Sequence, residues 1–219
     1  HISDEPSFEE HKESYAKALS IVADHLKGFT IIDALSNYEF YKLGLVKCPI
    51  PANNHIEPFL ENQVPGLWTY YCCSQGLDVS NRFLAMPSYR TRIIGAQLYK
   101  YDIKGFLQWG YNFYYTRLSK YQIDPFATTD GECSWPAGDP FSVYPGKDQV
   151  LESIRSELFY QALQDVRAMQ LLESKLGKDE VVRLVEEGIE KPITFKEYPH
   201  TPEYLLELRE KINCAIQKA

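Results

Sequence analysis

The sequence predicts an α/β fold: parallel βα units forming the C-terminal part of a (β/α)8 TIM-like barrel, with extra C-terminal helices. Three observations carry this expectation. Short apolar runs of strand length alternate with helical or loop segments, in units of about 25 to 40 residues. Polar and aromatic residues collect just after those runs: Asp4, Glu5, Asp33, Asn53, Asn54, His55, Trp109 and Asn112. In a βα barrel such positions share one rim, where active sites sit. From Gln149 onward only helical periodicity is left.

The elements follow in order. His1–Pro6, HISDEP, reads as the end of a strand, with Pro6 holding Glu5 extended and suiting the first turn of a helix. Ser7 and Glu10 have the capping-box spacing. Phe8, Tyr15, Leu19, Val22 and Leu26 then recur at helical intervals, and Gly28 suits the stop. FTIIDAL (Phe29–Leu35) is a strand ending near Asp33, and a short helix around Tyr38–Leu43 follows. LVKCPIPA (Leu45–Ala52) is a strand whose prolines mark its end, and NNHIEPFL opens a helical turn. GLWTYYCC (Gly66–Cys73) is an aromatic-rich strand. Residues 88–102 read as a helix, with Arg90 and Arg92 at a solvated helix start, and Lys104–Asn112 as a further strand. Phe113–Gly146 has no helical period and reads as a long loop, a feature that is often functional. Helices are expected over 149–176, 178–188 and 202–218. About five strands are therefore expected where a closed barrel has eight. The domain expectation is one catalytic-type domain over 1–219: a partial barrel, about strands 4 to 8, over roughly 1–148, and helices over roughly 149–219.

The composition, 44% hydrophobic and 24% charged over 219 residues, is that of an ordinary globular chain. A net charge of −7 without a basic stripe excludes a nucleic-acid phosphate binder. No run of about 18 apolar residues predicts a membrane span. The five cysteines form no C-x-x-C pair and read as buried free thiols rather than a disulfide framework or zinc site. No metal and no cofactor are expected. The chain does not begin with Met, so a parent chain whose N-terminal part is required is expected; localisation stays open.

Asp4-Glu5 is the main candidate for chemistry. Two close carboxyls cannot both ionise easily, so their environments can separate an acid from a charged stabiliser, as glycoside cleavage requires. The plainer reading is that acidic residues favour a helix N-terminus. Trp68 and Tyr70 alternate along one strand and should share a face, and Trp109 ends another; such rings suit the apolar faces of sugars, but they also suit a core. His55 and Asn112 fit hydroxyl recognition, and each also fits a turn or helix start. Asp33 ends its strand among the candidate substrate contacts. Asp139, in AGDP, fits a turn.

HISDEP, WTYYC, NRFLAMPSYRTR, GFLQWGYNFY, AGDPFSVYPG and SIRSELFYQALQDVRAMQLLE resemble, in that order, the glycoside-hydrolase-like domain of unknown function 4091 family. That family is similar to glycoside hydrolase family 123, the N-acetyl-β-galactosaminidases, and the resemblance runs from His1 to about Glu173. It implies a (β/α)8 barrel and a metal-free, retaining mechanism in which the substrate's 2-acetamido oxygen attacks the anomeric carbon. Carried over, Glu5 is the general acid and then base, and Asp4 orients the acetamido group. Tyr70, Trp68, Trp109, Asn112, His55 and Asp33 are then expected to bind a carbohydrate substrate, placed by strand position. A glycosidase of other specificity on the same barrel, and a non-catalytic carbohydrate-binding or scaffold protein, stay open as alternatives.

Overall fold

In a computed structural model describing all 219 residues, the apolar runs after Gly28 become short strands. The fold is mixed α/β, and the chain divides into two compact units, His1–Tyr71 with Asp102–Leu107 and Cys72–Tyr101 with Gln108–Ala219.

In the first unit β1 (Ile32–Ala34) pairs in parallel with β2 (Cys48–Ile50), with Asp33 opposite Pro49. Beyond β2 a parallel bridge joins Ala52 to Tyr70 of β3 (Trp68–Tyr71), and Asn53 N–H donates to Tyr70 O at 2.9 Å. Strand β3 in turn neighbours β4 (Gly105–Gln108). A glycine is needed at 105 because a Cβ there would lie 2.2 Å from two carbons of the Trp68 indole, which crosses it. The helices are α1 (His11–Val22), α2 (Tyr38–Lys42) and α3 (Glu57–Glu61). Asn37 caps α2 by accepting the Glu39 N–H at 3.0 Å. Tyr15, Leu35, Phe40 and Val46 form a buried cluster on which Ile2, Leu19 and Leu45 pack.

Three expectations for this unit change. His1–Asp4 is not a strand but a bent segment, because a side chain rather than a neighbouring strand takes its N–H groups. Ser7 and Glu10 form no capping box. The Ser7 hydroxyl donates back to Glu5 O at 3.0 Å, while the His11 ring accepts the N–H groups of Ser7 and Phe8 at 3.3 and 3.4 Å. Glu5, expected to be extended before Pro6, adopts a left-handed φ of 43°.

The second unit is mostly helical: α4 (Tyr89–Arg92), α5 (Ile94–Lys100), α6 (Ile154–Leu176), α7 (Lys178–Val185) and α8 (Pro202–Lys218). Ser153 starts α6 through a reciprocal cap with Ser156. Ile93, Met169, Leu172, Val181, Val185, Leu208 and Ile212 belong to one buried cluster. Arg92 and Arg209 both reach Asp165, at 2.7 and 2.9 Å, tying α4 and α8 to α6.

The stretch 113–146 is irregular as predicted, apart from a 3-10 turn at Arg117–Ser119 and β5 (Val143–Pro145), which pairs antiparallel with β6 (Val150–Glu152). Buried arginines fasten the irregular segments. Arg90 is not solvated: its guanidinium donates to the carbonyls of Leu77, at 2.5 Å, and Val79. Arg155 likewise donates to Phe141 O at 2.8 Å. The five cysteines are free thiols, but only Cys72 is buried; Cys48 and Cys73 are half-buried, and Cys133 and Cys214 are exposed.

The strands are arranged as three two-stranded sheets, and none closes into a barrel. No helix is long and apolar enough to cross a membrane.

Candidate active site

Asp4 closes the bent segment, Glu5 follows it, and both are exposed. A left-handed φ at a non-glycine residue costs roughly 1–3 kcal/mol and persists only where the surroundings enforce it. Here the Ser7 hydroxyl holds the Glu5 carbonyl, and the Tyr70 hydroxyl donates to Glu5 Oε1. Tyr70 is itself only 5% exposed, at the centre of β3, so it offers the carboxylate a donor fixed by packing.

Trp68 stands two residues before Tyr70. Its ring crosses Gly105, and it keeps 36% of its surface open. His55 is exposed on the turn after β2, with its N–H bonded to Ala52 O at 2.9 Å. Neither side chain shares a hydrogen bond with Asp4 or Glu5.

Asp33 lies differently from these. It is 1% exposed, and both of its carboxylate oxygens meet protein donors. Ile2 N–H and Ser3 N–H donate to Oδ1 at 2.7 and 3.3 Å, and the Tyr15 hydroxyl donates to Oδ2 at 2.5 Å. The His1 ring lies 3.3 Å from Oδ1. Burial, with this carboxylate beside it, pushes the Tyr15 phenol far above its ordinary value.

Trp109 and Asn112 belong to the second unit. Trp109 packs with Trp135 and Phe113, ring centroids 5.4 and 6.1 Å away. Trp135 itself lies over Gly131, where a Cβ would come within 2.2 Å of the indole. Asn112 is exposed and bridges antiparallel to Phe141. Below this aromatic group Arg82 donates to the carbonyls of Trp109 and Asp139 at 2.6 and 2.8 Å, and lies 3.4 Å from Asp139 Oδ1. Asp139 closes a turn as expected, its N–H donating to Pro136 O at 3.0 Å, and it is also fully buried. Burial pushes its carboxyl up to about 7, against the opposing pull of Arg82 and a Cys73 backbone N–H.

Sequence reasoning missed Tyr15, Arg82 and Trp135. Tyr15 was legible only as an apolar helical position. Arg82 sits beside Asn81 in a stretch that gives no period, and Trp135 lies within a loop. A groove of about 700 Å³ beside Val185, Glu187, Tyr198, His200 and Tyr204 belongs to the helical tail of the second unit. No group of three or more His, Cys, Asp or Glu side chains is arranged to hold a metal ion.

The mixed α/β scaffold presents an exposed acid pair, Asp4 and Glu5, beside the buried Tyr70. The chain belongs to the family glycoside hydrolase 123, catalytic domain, whose model matches residues 1–172. A solved family 123 glycoside hydrolase from Clostridium perfringens, studied for glycolipid glycan hydrolysis, is similar in fold with a TM-score of 0.59. Sequence identity is 17%, and the likeness covers 99% of this chain and 39% of that one. No curated protein matches the chain.

Proposed function

We propose that the chain carries the acid pair of a retaining β-N-acetylhexosaminidase, in particular an N-acetyl-β-galactosaminidase acting through the substrate's own acetamido group. Glu5 protonates the glycosidic oxygen as the acetamido oxygen attacks the anomeric carbon. The C–O bond to the leaving group breaks and an oxazolinium-like ring closes. Glu5 then takes a proton from the water that reopens the ring, so two inversions give retention. Asp4 orients the acetamido N–H and balances the positive charge of the ring. Since the nucleophile belongs to the substrate, the two carboxylates need not face each other across the sugar, which allows them to be neighbours in sequence.

The observation that carries this reading is the exposed, backbone-strained Glu5 held through Oε1 by buried Tyr70, in a chain of this family. In this scheme Oε2 carries the transferred proton. In the first unit, Trp68 offers a ring face to the sugar and His55 a hydroxyl contact. The parallel run β1–β2–β3 supports the narrower reading of a partial (β/α)8 barrel completed by strands of a parent chain. The quoted motifs support a place beside the domain of unknown function 4091. The glycolipid glycans of the solved neighbour point to a carbohydrate of that class as substrate.

The test is hydrolysis of aryl N-acetyl-β-galactosaminide and N-acetyl-β-glucosaminide by the intact polypeptide. Glu5→Gln is expected to lower kcat by about 10²- to 10⁴-fold, and Asp4→Asn to lower it comparably. An N-acetyl thiazoline inhibitor should bind tightly. Turnover of the aryl glycosides unaffected by thiazoline would transfer the site to another glycosidase specificity. No turnover by the folded protein would leave a carbohydrate-binding role.

A further inference from the structure

We propose that Asp33 is the positioning residue for the acid pair: its buried carboxylate sets the backbone from which Asp4 and Glu5 project. The inference rests on the catalytic reading of that pair and goes beyond it, because it reassigns a residue that strand position alone places among the substrate contacts.

The geometry separates the two roles. A residue that contacts sugar needs an open oxygen, yet Asp33 is 1% exposed and both oxygens are engaged within the protein. A carboxylate accepts at two oxygens with about four lone-pair sites. Here Oδ1 takes Ile2 N–H and Ser3 N–H, and Oδ2 takes the Tyr15 hydroxyl.

These bonds do what a sheet ladder does elsewhere. β1 pairs with β2, and His1–Asp4 forms no strand. Two consecutive N–H groups of that segment converge instead on one oxygen of the central residue of β1. Ile2 adds an apolar anchor by packing against the cluster of Tyr15, Leu35, Phe40 and Val46. Ser3, the second residue held, is followed directly by Asp4 and Glu5. The two donors are separated from Asp33 by 31 and 30 residues, so the bonds fix a tertiary position rather than a local turn. Tyr15, on α1, fixes the far side of the same carboxylate. Asp33 thus ties a strand, a helix and the pair-bearing segment at one point. A general acid must sit within hydrogen-bond reach of the oxygen it protonates, and a displacement of about 1 Å can cost about 10²-fold in rate.

The test uses the intact polypeptide and reads both turnover on aryl N-acetyl-β-galactosaminide and amide hydrogen exchange at residues 2–5. Asp33→Ala is expected to lower kcat about 10- to 100-fold with KM within about threefold, and to speed exchange at Ile2 and Ser3. Asp33→Asn keeps an oxygen for the two N–H groups and is expected to restore most of the lost turnover and protection. Wild-type kcat in Asp33→Ala, while Glu5→Gln is inactive, overturns the positioning role and spares the catalytic reading. A loss expressed wholly in KM assigns Asp33 to substrate binding and likewise overturns it. Wild-type turnover in Glu5→Gln overturns the catalytic reading instead, and the inference falls with it. Should Asp33→Ala not fold, wild-type exchange decides: Ile2 and Ser3 amides exchanging at unprotected rates overturn the inference, and slowed exchange supports it.

Discussion

Asp33 and Asp139 are buried aspartates, one in each compact unit, and they are held in opposite ways. Asp33 is met by backbone N–H groups and a phenol from two other segments. Asp139 faces a full charge, the Arg82 guanidinium at 3.4 Å, and burial still pushes its carboxyl up to about 7. A buried carboxylate is costly unless hydrogen bonds or a counter-charge compensate it. Directed short bonds from neutral donors fix a backbone. A single cation at longer range offsets charge and leaves a proton-binding group near neutrality. The first arrangement suits holding a segment in place, and the second makes the stability of the second unit depend on pH.

The largest test of this contrast is Asp139→Asn. The folded carboxyl lies near 7 and the unfolded one near 3.8. Below about 4 both states hold the proton and nothing is lost. Between about 4 and 7 the unfolded state gives up its proton first, so stability falls as pH rises, and above about 7 the loss is constant. At about 1.4 kcal/mol per pH unit, the wild type should lose about 4 kcal/mol relative to Asp139→Asn across that window. Denaturant unfolding at pH 4, 5.5 and 7.5 measures it. A constant gap between the two proteins would mean that burial does not raise the Asp139 carboxyl, and would erase the contrast.

Arg82→Met sharpens the same point with a smaller effect. Its cost at pH 5 is the loss of the guanidinium bonds to Trp109 O and Asp139 O, about 1–2 kcal/mol. At pH 8 a further 1.4 kcal/mol or so appears, because Asp139 must then bind a proton that the wild type has released. The total, about 3 kcal/mol, stays at the low end of the usual cost of breaking a buried ion pair, because this carboxyl can escape into its neutral form. A cost independent of pH would mean that Arg82 acts only through the carbonyls.

The two aspartates also show what a sequence discloses. Helix α8 (Pro202–Lys218) and the strands β1 to β4 lie within the segments their periodicity and composition indicate, because these signals are local. The polar residues that follow the strands were legible as a class, since such groups collect where strands end. What holds them was not. Asp33 to Ile2 spans 31 residues and Arg82 to Asp139 spans 57, and no window of periodicity sees such pairs. HISDEP resembles a strand in composition, and its bend depends on a carboxylate supplied from elsewhere in the chain. The capping box that Ser7 and Glu10 advertise does not form: the Ser7 hydroxyl is bonded to the Glu5 carbonyl, and α1 starts at His11 without a side-chain cap.

The smallest expected effect concerns the phenol–carboxylate contact, which occurs twice in the first unit. Tyr15 donates to buried Asp33, and Tyr70 donates to exposed Glu5. The chemistry is the same and the burial differs, so the two removals should be felt in different quantities. Tyr15→Phe strips a donor from a carboxylate that water cannot reach, and should lower stability by about 1.5–3 kcal/mol. Tyr70→Phe leaves Glu5 to solvent, which replaces the lost donor, so stability should change by under about 0.5 kcal/mol. What solvent does not replace is direction. With Oε1 released, Glu5 samples more orientations, and kcat should fall about tenfold, equivalent to about 1.4 kcal/mol, with KM little changed. Thermal unfolding beside steady-state kinetics on both variants separates these outcomes. A Tyr70→Phe protein that loses stability and keeps its turnover would place this contact with the one at Asp33, as scaffold rather than as part of the reacting site.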